Sequence, residues 1–174
     1  LVVTGEEPEQ VAQLLERIVN RLRLKPRRVP NANIEQLQNL CVDTPYYVPP
    51  KAEWHSLAAD KTNLKIVSGG SLYPDHVIFL GPSAAVMSPT MLARQLEAHK
   101  EIPKLLLVPP FGILALKNIS RVEKEMIQCL VDVVRRVSGA QKIRYLTQLE
   151  EKELLNWDAE KYRMFLNTDP ASNV

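Results

Sequence analysis

Hydrophobic residues recur every three to four positions along "EEPEQVAQLLERIVNRLRL", at Val11, Leu14, Leu15, Ile18, Val19 and Leu22, which is the spacing of one helical face. Pro8 falls in the first turn, acidic residues open the stretch and arginines close it, as the helix dipole favours. The pattern predicts one amphipathic helix of about four turns. The "LVVTG" before it reads as the end of a strand, entered without a methionine or a lead-in, so the chain is expected to be part of a longer protein. From Lys25 to Asn63 prolines at 26, 30, 45, 49 and 50 interrupt any long period. Apart from a short helical pattern through Ile34, Leu37, Leu40 and Cys41, this stretch is expected to wrap over the surface as a connector ending near "EWHSLAAD".

From Leu64 onward apolar runs and helical patterns alternate. "LKIV" and "HVIFL" are short apolar runs bounded by Gly, Pro and Ser, expected as buried strands, and "SPTMLARQLEAHK" begins a helix with Ser88 as cap and Pro89 at its first position. "KLLLV" is a strand, "PPFG" a turn in which Gly112 supplies positive φ, and "ILALK" the returning strand. Ser120 and Glu123 form a capping box before "VEKEMIQCLVDVVRRVSG", whose apolar face runs from Val122 through Met126, Cys129, Leu130 and Val133 to Val137, with Gly139 as terminator. Thr147 and Glu150 form a second box opening a last helix through Leu154, Leu155 and Tyr162. Such alternation predicts an α/β fold, a layered sheet, mixed or mostly parallel, covered by helices. Residues 1–25 form one unit, 26–63 the proline-rich connector and 64–174 the C-terminal α/β domain.

Composition narrows the function classes. The chain has 174 residues, 45% hydrophobic and 24% charged, an ordinary globular balance that needs no staple to fold. The net charge is +2, and the one dense basic stretch, Arg21 to Arg28, reads as a helix end followed by a solvated loop, so nucleic acid is not an expected partner. Cys41 and Cys129 each sit in an apolar helical pattern without a second cysteine nearby, as small core residues of a reducing compartment do. No apolar run reaches the roughly 20 residues of a membrane span, and no signal peptide is visible. A cytoplasmic protein without a membrane partner is expected.

Three histidines are present, His55, His76 and His99, with no HxH or HxxxH spacing, so the chain offers no local ligand set for zinc. His55 beside Trp54, and His99 near a helix end, read as structural. His76 differs, because Tyr73, Asp75 and His76 cluster in "SLYPDHVIFLGP", where an Asp–His hydrogen bond would orient the imidazole. These three are the candidate catalytic residues. "GPSAAVMSPT" follows the expected strand and opens a helix, which makes Ser83, Ser88 and nearby amides candidate anion binders. No glycine-rich phosphate loop or serine-nucleophile elbow accompanies them. "LLNWDAEKYR" reads as a surface or interface helix, with Asn156, Trp157, Asp158, Lys161 and Tyr162 available to a neighbour.

The order "LVVTGEEPEQVAQLL", "LYPDHVIFLGP", "LLLVPPFGILALK", a long helix ending "VVRRVSGAQ", then "RYLTQLEEKELLNWDAEKYR" resembles the C-terminal portion of class II aldolase/adducin proteins. It is nearest to the aldolase part of rhamnose-utilisation aldolase/dehydrogenase proteins. The resemblance implies retro-aldol cleavage of a sugar or sugar phosphate, with zinc or another divalent metal polarising the carbonyl and stabilising the enediolate. It also implies a cyclic homo-oligomer. The family's histidine ligands precede the segment that "LVVTG" resembles, so none maps onto a numbered residue here. By resemblance, residues 1–25 are the end of the metal-binding domain. The alternative is a non-catalytic, adducin-like module for assembly or partner binding.

Overall fold

"KLLLV" and "ILALK" pair as the two central strands of the structure, a computed structural model that describes residues 2–29, 32–82, 84–88, 91 and 102–168. Strand β3 (Leu105–Val108) turns through residues 109–111 into β4 (Gly112–Leu116), antiparallel, with Leu106 opposite Leu114. Two-residue strands flank them: β1 (Tyr46–Tyr47) antiparallel on β4, and β2 (Ala85–Val86) parallel on β3, giving the order β1-β4-β3-β2. The sheet is therefore mixed, with helices packed around it as the alternation predicts. Every residue of β3 is buried, because both faces of the sheet are covered. Leu105, Leu107, Ile113 and Ala115 meet one core, and Leu106, Val108 and Leu114 meet a second with Leu37, Tyr46 and Met87.

Helix α1 (Pro8–Leu22) forms where the period places it, with Pro at its start, and α2 (Ile34–Leu40) buries only Leu37. A 3-10 turn (Ala52–His55) runs into α3 (Ser56–Ala59) and α4 (Lys61–Val67). The stretch expected to wrap over the surface thus supplies Tyr46, Trp54, Leu57 and Ala58 to the interior. Helix α5 (Arg121–Val134) carries the first capping box, with the Glu123 N–H donating to Ser120 Oγ and the Ser120 N–H to Glu123 Oε2 at 2.7 Å. The second box opens α6 (Gln148–Asn156), but the last helical pattern breaks at Trp157 and resumes as α7 (Asp158–Thr168). Helix α5 also stops at Val134, short of the expected Val137, which still packs on the core.

Three expected strands do not form. Residues 2–7 are irregular, without strand pairing. "LKIV" is the end of α4, whose cap Asp60 accepts the Asn63 N–H at 2.8 Å while Ile66 and Val67 turn inward and Lys65 outward. "HVIFL" is a π-helical turn (His76–Leu80) with all five residues buried. A short run apolar on every side carries no period, so packing alone chooses between strand and helix. The expected helix from Ser88 lies almost wholly outside the described residues, which retain only the Met91 N–H donating to Ser88 Oγ at 3.3 Å.

The basic stretch after α1 is a clamp as well as a solvated loop. The Arg27 guanidinium reaches Asp60 Oδ1 at 3.3 Å, Asn63 Oδ1, and the Val134 carbonyl at 3.2 Å. In return Arg135 holds the Arg27 carbonyl at 3.1 Å and Arg136 the Leu24 carbonyl at 3.2 Å. Arg27→Ala is expected to cost about 2 kcal/mol, since it empties a partly buried set of charge-assisted bonds. A denaturation midpoint unchanged from wild type would show that the clamp adds nothing.

Candidate functional site

Tyr73, Asp75 and His76 do come together, at the entry to the π-helical turn, but their side chains have different partners from those their spacing suggests. His76 is 1% exposed. Its Nδ1 accepts the Leu72 N–H at 3.4 Å, which leaves the proton on Nε2. Burial disfavours the imidazolium and pushes its pKa down to about 4. The imidazole is therefore neutral at physiological pH. The Tyr73 ring stands 5.8 Å from it at 52°, and the Tyr73 hydroxyl is sealed in with no partner at hydrogen-bonding geometry. Burial first, then the adjacent Cys129 thiol and the Asp75 charge, push that phenol's pKa up, so it stays protonated.

Asp75 does not make the expected bond to the imidazole. It pairs with Arg163 of α7 at 2.8 Å. The same guanidinium grips Glu160 through both carboxylate oxygens, at 3.0 and 2.8 Å, and lies 5.2 Å over the Phe79 ring. The hydrogen bond to Asp75, more than any other contact, raises the Arg163 pKa. Arg163 is thus the centre of the polar cluster; its pairing with Glu160 is local, but the bond that ties it to Asp75 spans 88 positions and has no local signal in the sequence.

His55 is buried between two backbone groups, with Nε2–H donating to the Pro49 carbonyl at 2.9 Å and Nδ1 accepting the Ile113 N–H at 3.2 Å. Both nitrogens are spent, and burial lowers its pKa. His99 and Ser83 lie outside the described residues. The strand that would have brought Ser83 and its amides to a carboxyl end is the π-helical turn, and Ser88 Oγ accepts from Met91, so no anion site takes shape from them within the described residues. Cys41 and Cys129 are half-buried free thiols.

Two concavities carry charged groups on their walls. One, of about 370 Å³, is lined by Pro74, Leu146, Glu150, Glu153, Leu154 and Trp157, directly beside the candidate cluster. The other, of about 650 Å³, opens at the start of α5 between Lys104, Ser120, Glu123 and Asn167. Four of its polar side chains are tied to one another: Lys104 Nζ meets Glu123 Oε1 at 2.6 Å and the Phe79 carbonyl at 3.0 Å, and Ser120 Oγ donates to Asn167 Oδ1 at 2.7 Å.

A divalent metal does not fit the residues described. No three His, Cys, Asp or Glu side chains converge among them, and the two described histidines have lone pairs already engaged with backbone amides. No described helix is long and apolar enough to cross a membrane. No family model matches the chain, and neither a curated protein nor a solved structure matches it.

Proposed function

We propose that this chain is the C-terminal, supporting portion of a class II aldolase-like protein that cleaves a sugar or sugar phosphate by a metal-dependent retro-aldol reaction. The activity rests on the sequence resemblance, and the metal site belongs to sequence preceding residue 1. The observation that carries the supporting role is the state of His76, which is buried, neutral and bonded to the Leu72 N–H. A general acid or base must reach substrate and exchange protons near the working pH; this imidazole does neither. Chemistry in the intact protein is then performed elsewhere, with the α/β domain holding that site in place.

A second reading, a non-catalytic module for assembly, is favoured by Trp157 and Tyr162, two large aromatic side chains left exposed around the break between α6 and α7. The two readings part on one experiment. The intact gene product and the 174-residue chain are each loaded with zinc, dialysed, measured for metal by mass spectrometry and assayed for aldehyde release from ketoses and ketose phosphates. The expected result is stoichiometric metal and cleavage in the intact protein, and neither in the 174-residue chain. Metal-free, inactive intact protein would favour the assembly module. Near-stoichiometric zinc on the 174-residue chain would overturn the supporting role.

A further inference from the structure

A third concavity, of about 440 Å³, lies where β1, the 3-10 turn, the end of β4 and α5 meet, with Tyr47, Pro50 and Trp54 as its apolar wall. Three lysines also line it, Lys51, Lys117 and Lys124, against the single carboxylate of Glu125, an excess of two positive charges. Elsewhere ion pairs neutralise Lys104 with Glu123, Arg136 with Asp132 and Arg163 with Asp75. No ion pair among the described residues reaches Lys51, Lys117, Lys124 or Glu125. Like charges gathered on one concavity repel, and a ligand of opposite charge relieves that repulsion.

The walls are held in place by the protein's own bonds. Lys51 Nζ stands 5.2 Å over the Trp54 ring and donates to Gln128 Oε1 at 3.3 Å, the same oxygen that takes the Trp54 indole N–H at 2.8 Å. Lys117 Nζ donates to the Thr44 carbonyl at 2.8 Å and the Lys117 N–H to the Pro45 carbonyl at 2.9 Å, which ties the end of β4 to the chain entering β1. Both ammonium groups are thus positioned by neutral oxygens and keep further N–H donors for a ligand, since each has three. Tyr47 is half-buried, and burial raises its pKa, so the phenol stays a neutral donor at physiological pH. A site positioned in this way binds with less ordering cost.

We infer that this concavity binds a small phosphate monoester with a flat aromatic body, its phosphate on Lys51, Lys117 and Lys124 and its ring on Tyr47 and Pro50. A phosphate monoester carries roughly two negative charges at pH 7, which matches the excess of two on the walls. The lining offers ammonium point charges and no arginine fork, so it suits a tetrahedral dianion better than a planar carboxylate. Its volume is that of a small-molecule site and far more than inorganic phosphate fills, so the apolar wall is covered only when the ligand brings a body of its own. The inference does not rest on the retro-aldol reading, and its test reads binding alone.

The probe is phenyl phosphate, titrated into the isotope-labelled 174-residue chain while the indole N–H signals of its two tryptophans are followed by NMR. The Trp54 signal is expected to shift saturably with a Kd below about 1 mM, while that of Trp157, which lines a different concavity, stays in place. Inorganic phosphate and phenol, each alone, should bind at least roughly tenfold more weakly, because each forgoes half of the contacts. Lys117→Gln with Lys124→Gln, two exposed positions, should weaken phenyl phosphate roughly tenfold. Glu125→Gln should tighten it about twofold, a gain that no folding defect imitates. A Trp54 signal unmoved at about 10 mM phenyl phosphate, or one that moves only together with Trp157, would overturn the site. Inorganic phosphate binding as tightly as phenyl phosphate would reduce it to an adventitious anion only, phenol binding as tightly would remove the phosphate from it, and a lysine variant of unchanged affinity or a weakened Glu125→Gln would overturn the role given to the charges.

Discussion

Gly112→Ala is expected to lower stability by about 3–5 kcal/mol, through backbone strain and overpacking together. Gly112 opens β4 at φ +141°, in the region that L side chains rarely adopt. An alanine Cβ built there would lie 2.5 Å from His55 Nδ1 and 2.8 Å from His55 Cβ. The ring cannot swing away cheaply, since it is pinned on one side by the Pro49 carbonyl and on the other by the Ile113 N–H. Domain stabilities are only about 5–15 kcal/mol, so the variant should be partly unfolded at ordinary temperature. Gly81 is the internal control: its φ is +92°, but nothing lies within 4 Å of the added Cβ. Gly81→Ala should cost only the conformational part, about 1–2 kcal/mol. Urea titration of both variants separates the two terms, and equal losses would mean that His55 yields freely.

His76→Ala is expected to cost about 3 kcal/mol, because it leaves a cavity in the packing and strips the partly buried Leu72 N–H of its acceptor. Specific activity of the intact protein, counted per folded molecule, should not change. A loss of activity with an unaltered melting temperature would instead make His76 part of the chemistry. The pH dependence gives a second reading of the same group. An imidazole held neutral in the folded state, with a pKa about 4 against 6.5 unfolded, binds its proton only after unfolding. Its stabilising contribution is complete above pH 6.5 and is lost as pH falls from there toward 4, on the order of 3 kcal/mol in all. His55, lowered by burial in the same way, adds to the slope in the same direction. His76→Ala should flatten this acid limb, and a limb as steep as the wild type's would show that the imidazole is already charged in the folded protein.

Signals carried by neighbouring residues were legible in the chain itself. The period of α1, both capping boxes, the β3–β4 hairpin and the positive φ of Gly112 each depend on groups within a few positions of one another, and each appears where the pattern places it. The mixed sheet covered by helices follows from the same alternation. Only the tertiary structure decided whether "HVIFL" and "LKIV" are strand or helix, because runs that are apolar on all sides are assigned by the surfaces they meet. It alone decided the partners of the candidate cluster as well. Asp75 chose Arg163 over its neighbour His76, and His55 and Arg27 found partners 58 and 107 positions away. Charge and hydrogen-bond pairs of that kind form only once folding has brought distant segments within about 3 Å, where a bond offsets the cost of burying a polar group.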